Sequence, residues 1–169
     1  MPRGHGGDDV WVKCHGRYWK LRSVPASTWI QAVLSTDMAG IWPGLVRDRD
    51  AEQLYGLWLT EDDMQNRAAL VSRRALGRAA GREWHWAHNL IKEIDGSWTW
   101  LNGLLVREGV RADQTGLSDY LDAAFTLFSE KLKPDDFKAM ETRLRKLPSG
   151  IITKPRMSSR DDLMKFAKD

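Results

Sequence analysis

Few residues in this chain are equipped for chemistry. His85 and His88 stand three apart in a stretch that reads as helix, and histidines at i and i+3 share one side of a helix, where they can hold a metal ion. Glu83 and the Cys14–His15 pair are the available supplements. The set contains no CxxC, no HExxH and no other spacing that fixes a metal. On a helical wheel both histidines fall on the polar side, so solvated surface histidines are expected. Cys14 beside His15 offers a thiol and a base, but neighbours on a strand face opposite sides of a sheet; a small buried or half-buried thiol is the expectation. Carboxylates gather at Asp48/Asp50/Glu52, Glu61/Asp62/Asp63 and Asp135/Asp136. The last two groups sit at helix starts, where the helix dipole favours negative charge. No GxxxxGK[ST] or GxGxxG phosphate loop occurs, and Gly77, Gly81 and Gly96 read as helix punctuation. Arg67, Arg73, Arg74, Arg78 and Arg82 form a basic run, expected to be solvated or acid-paired, with an anionic partner as the alternative. The chain is thus expected to have no catalytic site, no cofactor and no metal.

The nine tryptophans are the stronger signal. Trp84/Trp86 and Trp98/Trp100 are pairs two residues apart, which on a helix point about 200° away from each other. Neither pair can sit at the centre of one stripe. With Ala87, Leu90, Ile91 and Ile94, the first pair fills an apolar arc of roughly 160° with a tryptophan at each edge. Trp98, Leu101, Leu104, Leu105 and Trp100 repeat the pattern. Such arcs suit central helices, or they place indole rings on the rims of a groove. Trp is enriched at interface hot spots. Trp84, Trp86, Trp98 and Trp100, with Trp42 in a Pro43–Gly44 loop, are therefore the candidate partner-binding residues. Trp11, Trp19, Trp29 and Trp58 are expected in the core.

The elements that must position these residues are mostly helical. Residues 1–9 are rich in Gly and charge and are expected to be disordered. Period-2 alternation on both sides of His15–Gly16 predicts a β-hairpin. Ser27 or Thr28 is expected to cap a helix carrying Trp29, Ile30, Val33 and Leu34, and 51–59 a second short helix. Thr60–Asp63 resembles a capping box, opening a helix through Met64, Ala68, Val71, Leu76 and Ala79 that Gly81 stops. Further helices are predicted at 82–94, at 98–108 behind Ser97, at 119–133 behind Leu117–Ser118, and from Pro134 to before Pro148. The fold class is mainly α: an N-terminal hairpin packed on about six to seven helices in one domain over 10–148. A flexible basic tail follows at 149–169, with a short helix at 161–168.

Length and charge narrow the class. A chain of 169 residues can bury a sizeable core. Its apolar runs are far shorter than a membrane span, and no signal-peptide pattern opens it. The single cysteine allows no internal disulfide and suits a reducing compartment, so a cytoplasmic location is expected. The net charge of +3 is uneven: 143–169 carries eight Lys and Arg against three Asp, whereas 1–142 carries 18 basic and 20 acidic residues. A nucleic-acid binder would show a basic face on the folded body, so nucleic acid is not the expected partner.

Four stretches carry recurrent packing and turn patterns: the hairpin followed by Val24-Pro25-Ala26-Ser27-Thr28-Trp29, then Ile41-Trp42-Pro43-Gly44-Leu45, then Gly81-Arg82-Glu83-Trp84-His85-Trp86-Ala87 leading to Ser97-Trp98, and finally Leu117-Ser118-Asp119-Tyr120-Leu121-Asp122-Ala123 through to Leu147-Pro148-Ser149-Gly150. In these, over most of residues 10–150, the chain resembles the tail assembly chaperones of long-tailed, siphophage-type actinobacterial phages. The resemblance implies a non-enzymatic protein of the host cytoplasm that binds the tape measure protein, keeps it soluble and helps recruit tail tube protein. Such chaperones are often also made in a longer, frameshifted form. A tape measure protein is a long helical chain with apolar stripes, which wide grooves rimmed by rigid aromatics would suit. Homo-oligomerisation is left open. Two other readings remain: a structural or connector protein of the virion, and a small DNA-associated regulator using the basic tail.

Overall fold

The computed structural model of the chain describes residues 10–35, 39–60 and 63–148. The expectations for 1–9 and for the tail at 149–169, with its helix at 161–168, lie outside the described residues. Strands β1 (Trp11–Cys14) and β2 (Arg17–Lys20) form an antiparallel hairpin. Eight helices follow among the described residues: α1 (Ala26–Ser35), α2 (Ile41–Leu45), α3 (Asp48–Thr60), α4 (Met64–Ala80), α5 (Trp84–Gly96), α6 (Trp98–Arg107), α7 (Leu117–Lys131) and α8 (Pro134–Leu144).

His15 and Gly16 both take positive φ, 51° and 69°, the backbone that a two-residue hairpin turn of the correct twist requires. The register pairs Val12 with Trp19 and Lys13 with Tyr18. Alternation sends Val12, Cys14 and Trp19 inward and Trp11, Lys13 and Tyr18 outward. Trp11 is therefore exposed, against the expectation of a core residue. Lys20 lies over its ring and Lys13 over that of Tyr18, each at 5.6 Å.

A two-stranded hairpin is marginal alone; here β1 packs on α4. A bridge between Leu21 and Val46 ties the end of the hairpin to the end of α2. The centre of the bundle is α5, which touches α1, α4, α6, α7 and α8. Its neighbour α4 comes close because Gly77 has no side chain: a Cβ there would lie 3.0 Å from the Arg82 carbonyl oxygen and 3.3 Å from the Trp84 backbone nitrogen. Gly81, at φ 63°, ends α4 in the left-handed conformation that glycine adopts without strain.

Several local expectations are corrected. Pro43 and Gly44 lie inside a single helical turn and not in a loop. Proline is tolerated in a first turn, where its missing N–H would have had no helical partner. That turn buries Ile41, Trp42 and Leu45, and the Trp42 backbone N–H donates to the buried Ser72 hydroxyl of α4 at 2.9 Å. Thr60 closes α3, its hydroxyl donating to the Gly56 carbonyl oxygen at 3.1 Å, and Asp63 makes no capping hydrogen bond to α4. The start of α1 is satisfied by the loop before α7: the Ala26 and Ser27 N–H groups donate to the carbonyl oxygens of Thr115 and Ala112 at 2.9 and 2.8 Å. Asn89 of α5 closes α8 from outside, its amide donating to the carbonyl oxygens of Arg143, Leu144 and Lys146.

Candidate protein-binding surfaces

The five candidate tryptophans divide three ways. Trp42 is 0 % exposed and meets Trp19 edge-on at 5.8 Å, so it is core and cannot receive a partner. Trp84 and Trp86 are half-buried at the start of α5. Trp98 and Trp100 are 41 % and 38 % exposed at the start of α6, beyond the far end of α5 and thus roughly 18 Å away along its axis. One continuous groove does not join all four.

The buried face of α5 is Ala87, His88, Leu90, Ile91 and Ile94. Relative to the sequence-based arc it is rotated by about 40°, which brings His88 inside. The His85–x–x–His88 pair is therefore not two surface rings. His88 is buried, with its Nδ1 3.3 Å from Asn89 Oδ1, whereas His85 sits 3.1 Å from Glu83. Burial holds the His88 pKa below its ordinary value, opposed by the Asn89 contact and assisted by Lys92. Among the described residues no three His, Cys, Asp or Glu gather as metal ligands. Cys14 is buried.

The first surface surrounds α6. This ten-residue helix buries only Leu101 and Leu105, leaving Trp98, Trp100 and Val106 exposed. The Trp100 ring meets Phe128 of α7 edge-on at 5.5 Å. It forms one wall of a cavity of about 420 Å³ floored by Phe128, Leu132 and Met140. Around the mouth stand Glu93, Asp136, Lys131 and Arg143. Arg143 binds Glu93 through two bonds of 2.6 and 3.0 Å, which raise the Arg143 pKa. An apolar floor inside a rim of mixed charge is the anatomy of a protein interface. Four helices, α5 to α8, contribute to it, and among the lining residues Trp100 is the one that the sequence marked as a partner-binding candidate.

The second surface lies between α4 and the start of α5. An open groove of about 700 Å³ is lined by Arg73, Arg74, Arg78 and Arg82, with Trp84, Leu70 and Leu147. Arg73 lies 5.1 Å over the Trp84 ring, and its Nε is buried without a hydrogen-bond partner among the described residues. Desolvation lowers its pKa, yet arginine stays charged at any ordinary pH. Arg82 binds Asp122 at 2.9 Å and lies 4.5 Å over Trp86, whose ring also packs with Phe125 at 5.5 Å. Arg78 donates to the Trp11 carbonyl oxygen. Among the described residues the basic run is thus acid-paired only at Arg67 and Arg82.

No helix among the described residues is long and apolar enough to cross a membrane. Compared with protein-family models, with curated proteins and with solved structures, the chain finds no match.

Proposed function

We propose that this chain is a non-enzymatic assembly chaperone of the phage-tail type, which holds apolar helical segments of a tape measure protein on its α6 face. The supporting observation is the exposure of Trp98 and Trp100 on a helix that buries only Leu101 and Leu105. Rigid indole rings beside an apolar cavity are costly to leave in water and lose little conformational entropy when covered. A helix with apolar residues at i, i+3, i+4 and i+7 would lay that stripe against them. The face is small, so a single contact is weak. Many such contacts along one long client give avidity while leaving each contact releasable. In this reading the protein acts in the host cytoplasm, and help in recruiting tail tube protein is a secondary role.

Co-expression with a tape measure protein tests the proposal. The soluble yield of that client is expected to rise in the presence of this chain, and an unchanged insoluble client would remove the main support. Mass spectrometry of purified virions separates the alternative of a resident structural protein, since a chaperone is expected to be absent or scarce there.

A further inference from the structure

We propose that the groove between α4 and the start of α5 binds an acidic amphipathic helix of a partner protein. The inference stands apart from the α6 face, because the groove lies at the opposite end of α5. Four arginines line it against one carboxylate, Glu83. Of these, Arg73 and Arg74 make no ion pair among the described residues, whereas Arg82 is held by Asp122. Two guanidinium groups left without counter-charge beside exposed apolar surface form a site for an anion that is also apolar. The apolar part comes from Leu70 and Leu147, 40 % and 53 % exposed, together with Trp84.

The spacing points to a helix. Leu70, Arg74, Arg78 and Gly81 follow one side of α4 over about 16 Å, three turns. Arg74 and Arg78 are one turn apart, so carboxylates one turn apart on a partner helix meet them in register. Leucines on the adjacent stripe of that helix would cover Leu70 and Leu147. Nucleic acid suits the groove less well. Single strands bind by stacking bases on open aromatic faces, but a guanidinium already lies over Trp84 and another over Trp86.

The test uses the full chain and a fluorescent synthetic helix of about 15 residues with Glu one turn apart beside a leucine stripe. Its twin has Lys in place of Glu, and a single-stranded oligonucleotide is the third probe. Anisotropy is expected to show binding of the Glu helix only. Arg74→Glu is expected to weaken it about tenfold or more, Arg74→Lys to retain most of it, and Leu70→Ser to weaken it at unchanged salt dependence. Arg74 is exposed and makes no ion pair among the described residues, so its variants are expected to leave the fold intact, checked by circular dichroism. Equal binding of the Lys twin, binding of the oligonucleotide in preference to the helix, or no loss with Arg74→Glu would overturn the proposal. So would self-association that Arg74→Glu abolishes while the Glu helix fails to bind, since the occupant would then be a second copy.

Discussion

Removing the Ser72 hydroxyl tests how the short helix α2 is held. Ser72 is fully buried in α4, and its oxygen accepts the Trp42 backbone N–H at 2.9 Å. That N–H belongs to the first turn of a five-residue helix, where no intrahelical carbonyl can serve it. In Ser72→Ala the donor stays buried and loses its partner, a loss of about 1–3 kcal/mol. Alanine returns about 0.5 kcal/mol of helix propensity, so the net destabilisation is about 0.5–2.5 kcal/mol, centred on about 1.5 kcal/mol. For a chain of this size the melting temperature should fall by roughly 3–6 °C. Urea unfolding should show a lower midpoint at unchanged slope, and the Trp42 amide should exchange faster than the rest of the core. Ser129→Ala is the control: that hydroxyl donates to the Thr126 carbonyl oxygen at 2.7 Å on an exposed face, and its loss should change stability by less than about 0.5 kcal/mol. A Ser72→Ala protein as stable as the parent, with Trp42 amide protection unchanged, would refute the assignment of Ser72 as the cap of α2.

Other groups give separate outcomes. Burial lowers the His88 pKa below the ordinary 6.5, so the unfolded chain binds this proton more readily than the folded one. The His88 contribution is therefore intact above pH 6.5 and is lost as pH falls from there towards the lower folded value. Urea midpoints across that window should decline in the parent and flatten in His88→Gln, and a parallel decline in both would contradict the burial of His88. The Tyr120 hydroxyl is buried with no hydrogen-bond partner among the described residues, and desolvation pushes its pKa up to about 12. Tyr120→Phe should raise stability by about 1 kcal/mol, and a loss of that size in thermal unfolding would mean that the hydroxyl is satisfied.

Local periodicity made most of the fold legible. The hairpin turn at His15–Gly16, the stop at Gly81 and the starts at Trp98 and Pro134 are short-range signals that the backbone follows. Trp42 was misread because proline and glycine signal a turn without saying which side of it is solvated; Pro43 is half-buried and Gly44 exposed while Trp42 packs on Trp19. His88 was misread because a hydropathy wheel treats a histidine next to the apolar arc as polar, although the tertiary packing of α5 covers it. The exposure of Trp98 and Trp100 follows from their places at the two edges of the α6 arc. Phe128, Leu132 and Met140 joined Trp100 only through the packing of separate helices. Leu147 reached the arginine groove because Asn89 fastens the end of α8 to α5, a long-range contact with no local signature.

The most direct test of the client-holding reading compares soluble yields of the co-expressed tape measure protein with the parent chain and with Trp98→Ser, Trp100→Ser and Leu59→Ser, the last an exposed apolar residue on α3. All variants are first checked for native circular dichroism. The parent and Leu59→Ser are predicted to raise the client's soluble yield equally, and both tryptophan variants are predicted to lose that gain. Equal solubilisation by all four proteins, or by none, would contradict the assignment of the α6 tryptophans as the holding surface.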